Sequence, residues 1–410
     1  MILNFIWVGF FLIAFAVALA KLVLGGDMEI FPAMLSSTFD MAKTGFEISL
    51  YLTGVMALWL GIMKIGEKGG IVAILSRWVG PFFSRLFPEI PRHHPATGSM
   101  IMNFSANLLG LDNAATPLGL KAMKEMQELN PKKDTASNAQ IMFLALNTSG
   151  LTIIPLAIIL DRSILGSANP TDIFIPTLLA TTCSSLAALI AVSLYQRINL
   201  FDRVILGYLG GLLLLVGGAV YYFTRLPQEE LQKQSNLVSS FFIITVIISF
   251  LVLGLKKKIP LYETFVEGAK EGFETSIKII PYLIGILVSI GMFRTSGALT
   301  YLTDGIAWIV AACGGNTDFV DALPTAFLKP LSGGAAKGMM VETIKTYGAD
   351  SFVGRLSSIF RGCTETTFYI LAVYFGSVGI QKTRYALTVG LLADLVGILS
   401  AIFVAYLFFH

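Results

Sequence analysis

Apolar runs of about 20 residues, the length needed to cross a bilayer, recur along this chain and leave few folds open to it. Six are clean, at residues 3–24, 46–65, 141–160, 173–194, 204–223 and 237–255, and three are less so, at 277–293, 360–378 and 385–408. Hydrophobic residues make up 55% of the chain and charged residues 13%, against about 25% charged in soluble domains. That is too little polar surface for a water-soluble globule, so the chain is expected to be an all-α polytopic membrane protein. The run at 3–24 has no basic leader and is too long for a secretory signal, and is read as a retained helix.

Basic residues orient these spans, because short cytoplasmic loops hold the excess of Lys and Arg. They gather at Lys64 to Arg92, at Lys121 to Lys133, at Arg197 and Arg203, and at Lys256 to Lys258. The expected topology has the amino terminus inside and nine full crossings, in the cytoplasmic (inner) membrane. A net charge of +3 without a basic, aromatic-rich run excludes nucleic acid as a partner. Cys183, Cys313 and Cys363 lie far apart in apolar surroundings and read as packing residues. His93 and His94 lack metal-ligand companions, and no G-x-x-x-x-G-K-[ST] loop is present. No enzyme activity, cofactor or metal is expected.

The segment Ala42-Lys43-Thr44-Gly45-Phe46-Glu47 returns as Ala269-Lys270-Glu271-Gly272-Phe273-Glu274, and the same spacing sets Gly70 against Gly297. The charge-derived orientation puts the first segment outside and the second inside. Two inverted-topology repeats are therefore expected, a plan used by transporters that bind substrate between the copies.

Each copy also carries an apolar stretch interrupted by polar residues and glycine, at residues 100–120 and 322–341, read as discontinuous or re-entrant helical hairpins. In the first the interruption holds Asn103, Ser105, Asn107, Asp112 and Asn113, with Asp112 or Asn113 capping the helix that follows; in the second it holds Ser332, with Lys337 beyond. Half-helix amino termini present free N–H groups and a partial positive charge, which suits an anion or a carbonyl-rich ligand. A second polar cluster follows each hairpin, at Asn147, Thr148 and Thr152 and at Arg361, Thr364, Glu365 and Thr366. On a continuous helix Arg361 and Glu365 share a face and form an ion pair; a free Glu365 would instead serve a cation or coupling proton. Asp394 stands within an otherwise apolar last helix and marks either a snorkelling group or an aqueous path.

Residues 103–123, from Asn103 through Gly110, Asp112 and Pro117 to Met123, strongly resemble spore maturation protein A. Residues 330–335, 350–356 and 363–379 resemble spore maturation protein B. The chain is similar to a fusion of the two, with 1–200 and 235–410 as the copies and 201–234 as a linking helix and loop. The resemblance implies the nucleoside-recognition (Gate) domain group, whose wider relatives include concentrative nucleoside transporters and the membrane part of ferrous iron transporters. It also implies a tie to spore core dehydration in spore formers. No GTPase domain is appended within these 410 residues and no nucleoside-binding residue set maps onto them, so neither iron nor nucleoside is assigned.

The reading is a secondary transporter or channel-like protein for a small polar solute or ion, bound between the repeats at the bilayer midplane. Asn103, Asn107, Asp112 and Asn113 are expected to face Ser332, Lys337, Thr364 and Glu365 there. Its other partners are membrane lipid and further copies in a homo-oligomer. The alternative is a non-transporting scaffold or assembly factor of the cell envelope.

Overall fold

The computed structural model describes residues 2–91, 94–108, 112–153, 155–223, 225 and 228–410. Helix α1 (Ile2–Gly25) is apolar but for Asn4 and Lys21 and ends where Gly26 takes a φ of 67°. Helix α2 (Ile30–Gly69) runs for 40 residues, because nothing between the 42–47 segment and the apolar run behind it breaks the helix. It stops at Gly70, whose φ of 90° turns the chain into α3 (Ile71–Leu86), a left-handed conformation that costs little without a Cβ. Helices α4 (Pro95–Leu108) and α5 (Asp112–Leu129) pack along one another as a hairpin. A Ser137–Gln140 capping box opens α6 (Asn138–Ser149). Helices α7 (Leu156–Ile164), α8 (Phe174–Gln196) and α9 (Arg203–Phe223) follow.

The same order of elements then returns. After α10 (Gln228–Lys256), the 35-residue α11 (Leu261–Thr295) again joins the amphipathic segment to the apolar one. Gly297, at φ 88°, turns it into α12 (Ala298–Ala312). A second packed pair, α13 (Leu323–Leu328) and α14 (Gly333–Tyr347), precedes α15 (Phe352–Gly362), α16 (Thr367–Ser377) and α17 (Ala386–Phe409). Among the described residues no strand forms beyond an isolated bridge between Thr135 and Lys382. Among the described residues three helices are long and apolar enough to cross a membrane: α1 from Trp7, α8 and α17.

Three expectations need correction. The run at 141–160 is two helices, because Gly150 ends α6 at φ 61° and Pro155 supplies no N–H to continue the ladder. The run at 360–378 is likewise divided, with residues 363–366 non-helical between α15 and α16. In the first hairpin the interruption is shorter than its composition suggests. Helix α4 continues to Leu108, so Asn103, Ser105 and Asn107 are helical, and residues 109–111 lie outside the described set.

The chain forms two compact units, each drawing on both sequence halves. The first comprises Met1–Gly61, Leu160–Pro170 and Val266–Arg361. Small residues let its helices approach, with Ala14 and Ala18 against Ile30 and Met34, and Ala335 and Ala336 against Ile290 and Leu328. Buried charges are paired: Arg162 with Asp350 at 3.0 Å, Lys337 with Asp161 at 2.8 Å, and Arg294 with Glu342. The second comprises Ile62–Ile159, Thr171–Phe265 and Gly362–His410. Its centre is the packing of α8 on α17, beside a core that includes Phe83, Phe104, Phe143 and Phe375. At one end residues 134–136 bond to 381–382: Gln381 N–H donates to Asp134 C=O at 2.9 Å and Ala136 N–H to Lys382 C=O at 3.0 Å.

Candidate functional site

In the second unit the two interrupted helices meet at their interruptions. Helix α6 ends with carbonyls that have no partner one turn on, and the N–H of Glu365 donates to the carbonyl of Thr148 at 2.8 Å. The hydroxyl of Thr181 on α8 donates to Gly150 C=O at 2.8 Å. Gly150 permits this approach, since a Cβ there would lie 2.9 Å from the Glu365 nitrogen.

Helix α17 offers a glycine-lined face to the second interruption. A Cβ on Gly390 would come within 2.7 Å of Thr367 Cγ2, and one on Gly397 within 2.7 Å of Thr364 Cγ2. Between them Asp394 is buried at 2% exposure and accepts a hydrogen bond from Thr367 Oγ1 at 2.6 Å. Thr367 is the first residue of α16, so the carboxylate sits at the positive end of that helix. Ser184 Oγ on α8 donates to the adjacent Ala393 C=O at 2.9 Å.

Amides from the α4–α5 hairpin complete the cluster. Asn103 Nδ2 donates to Ala115 C=O at 2.7 Å and approaches the Tyr374 hydroxyl at 3.4 Å. Asn107 Nδ2 donates to Asn147 Oδ1 at 2.8 Å, and Tyr374 reaches the same oxygen at 3.4 Å. Gly119 makes room for the tyrosine, whose hydroxyl lies where a side chain would begin. Three buried oxygens here, Asn103 Oδ1, Thr148 Oγ1 and Thr364 Oγ1, have no hydrogen-bond partner among the described residues; Ser105 Oγ also has none but stands two residues from Asn103 and Asn107, on another face of α4. Leaving such a group unmatched costs about 1–3 kcal/mol. The set combines an amide carbonyl with hydroxyls that both donate and accept, chemistry suited to a polar solute or a cation.

Of the residues singled out from sequence, Asn103, Ser105, Asn107, Asn147, Thr148, Thr364, Glu365 and Thr366 belong to this unit. Ser332 and Lys337 belong to the first: Ser332 Oγ caps α14 by accepting from Ala335 N–H at 3.2 Å, and Lys337 pairs with Asp161. The side chains of Asp112 and Asn113, and all of His93, lie outside the described residues. Arg361 and Glu365 do not share a helix, because α15 ends at Gly362 between them; the register argument for their pairing falls away. Sequence reasoning missed Tyr374, Thr181 and Ser184. Tyr374 stands seven residues after Thr367, on the same helical face, which was a signal available once α16 was known to start there.

The family model described as Gate, nucleoside recognition, matches residues 49–162 and 276–381. Spore maturation protein B of Bacillus subtilis (strain 168) is 48% identical over 174 residues, 42% of this chain and 96% of that protein. Spore maturation protein A of the same organism is 44% identical over 187 residues, 46% of this chain and 92% of that protein. With more than half its length matched, and two relatives each covered almost whole, this chain belongs to the Gate, or nucleoside-recognition, family.

Proposed function

We propose that this chain is a secondary transporter, or a channel-like relative of one, carrying a small polar solute or ion across the cytoplasmic membrane through a site made by two inverted copies. The observation that carries the reading is the meeting of the two interrupted helices, with Glu365 N–H on Thr148 C=O. Backbone released from helical pairing is tolerated at membrane depth only where protein or a water-filled cavity satisfies it, and transporters place substrate at such interruptions. Asn103, Asn147 and Thr148 from the first copy and Thr364, Tyr374 and Asp394 from the second contribute to the same unit. Glu365 is the acidic group offered to a coupling proton or cation, while Asp394 is held by Thr367.

An exchange of loops supports the inversion. The residues before α6 bond to those after α16, through Asp134, Ala136, Gln381 and Lys382. Those after α7 bond to those before α15, where Ala168 N–H donates to Asp350 Oδ2 at 2.8 Å. In both cases the start of one interrupted helix meets the end of the other, as in two antiparallel elements. Reciprocal contacts of this kind follow from a two-fold relation between copies. On this reading α1, α2, α6 with α7, α8, α9, α10, α11, α15 with α16, and α17 cross the membrane, while α4–α5 and α13–α14 re-enter as hairpins.

The test is a thermal-shift screen of the purified chain with nucleosides, organic acids, amino acids and metal ions. A solute that raises the melting temperature of the chain, and fails to do so for Asn147→Ala, supports the reading. No shift with any of them favours a non-transporting scaffold of the cell envelope.

A further inference from the structure

The first unit holds a cavity of about 240 Å³ between α12, α14 and the end of α11. Glu342 on α14 is 2% exposed. One of its carboxylate oxygens pairs with Arg294, and the other, Oε2, has no hydrogen-bond partner among the described residues. A second carboxylate, that of Asp321, lines the same cavity, as does Tyr347. Thr303 directs its hydroxyl hydrogen to the carbonyls of Leu299 and Thr300, at 3.2 and 3.1 Å, so its oxygen presents lone pairs. Met339 adds an apolar surface. Lys345 does not line the cavity; its ammonium bonds to Thr44 Oγ1 at 2.7 Å and lies within electrostatic reach of Glu342.

The lining charges are two carboxylates against one guanidinium, with a buried carboxylate oxygen still lacking a donor. Such a site selects a cation that carries N–H groups, because burying an unmatched charge is costly whereas a charge-assisted hydrogen bond is strong. A water molecule occupies about 30 Å³, so the space is several times too large for a bare metal ion and suits an organic amine. We propose that this cavity is a binding site for a small organic ammonium ion, its nitrogen held by Glu342 and Asp321 and its body against Met339. The proposal is independent of the site at the interrupted helices.

Tyramine is the probe, with tyrosol, its neutral alcohol counterpart of the same shape, as control. Calorimetric titration of the purified full chain is expected to show saturable binding of tyramine and none of tyrosol. Glu342→Gln and Asp321→Asn are each expected to weaken tyramine by about tenfold or more, roughly 1.4 kcal/mol, with folding checked by circular dichroism melts. Equal binding of the two compounds, no saturable binding of either, or unchanged affinity in both variants would overturn the proposal. Should both variants unfold, the comparison of tyramine with tyrosol on the unaltered chain decides it.

Discussion

A methyl group has no room at position 397: it would stand 2.7 Å from Thr364 Cγ2 and 3.3 Å from Cys363 C=O. Overpacking of this kind costs about 1–3 kcal/mol, so Gly397→Ala is expected to lower the melting temperature. Gly98→Ala, where a Cβ meets nothing within 4 Å, is expected to be neutral or to stabilise by up to about 1 kcal/mol. Equal effects would contradict the close approach of α17 to the second interruption. Tyr374→Phe removes a hydroxyl that lies 3.4 Å from both Asn103 and Asn147. Because Asn103 keeps its bond to Ala115, the expected loss is only about 1 kcal/mol, read by thermal or denaturant unfolding. Asp394 was legible in the sequence because an acid in an apolar helix stands out. Tyr374 was not, since a tyrosine in an apolar run reads equally well as packing.

At the scale of the element, the interruptions of α6–α7 and α15–α16 decide how the second unit is built. Averaged apolar content could not reveal them, because the apolar stretches beyond the polar residues at 147–152 and 361–367 dominate the mean hydropathy across each join. The informative signals were local: a glycine followed five residues later by Pro155, and a run of Thr364, Glu365, Thr366 and Thr367. The hairpins were legible as interrupted stretches, but Asn103 and Asn107 were read as marking the break when α4 runs through both. Gly150→Ala must adopt a left-handed backbone, costing about 1–2 kcal/mol, and would also press on Glu365. It is expected to destabilise the chain measurably, and a neutral result would mean that the two interruptions do not meet. Where the loop before α6 joins the loop after α16, hydrogen bonding from Lys382, and then Thr135, holds the Asp134 carboxyl below the usual carboxylate range. Its stabilising contribution is therefore present above the unfolded value of about 3.9 and is lost as pH falls through the lower folded value. The pair is exposed, so the contribution is small. The melting temperatures of the parent and Asp134→Asn should differ slightly at pH 7 and converge as the acid limit is reached.

For the whole molecule, the recurrence of Ala-Lys-x-Gly-Phe-Glu pointed to duplication, and the structure repeats the long helix, the left-handed glycine and the shorter helix after each copy. What a single sequence could not convey is that each compact unit draws on both halves, since periodicity and composition describe neighbours along the chain and not partners across it. Inversion of the copies is the claim on which the proposed transport site rests. It is tested most directly by sided labelling of single cysteines, after Cys183, Cys313 and Cys363 are replaced, in membranes of known orientation. Lys132→Cys and Gln381→Cys are expected to react with an impermeant thiol reagent from the inside, and Ala168→Cys and Tyr347→Cys from the outside. Labelling of Lys132→Cys and Tyr347→Cys from the same face would place equivalent loops of the two copies together and contradict the account.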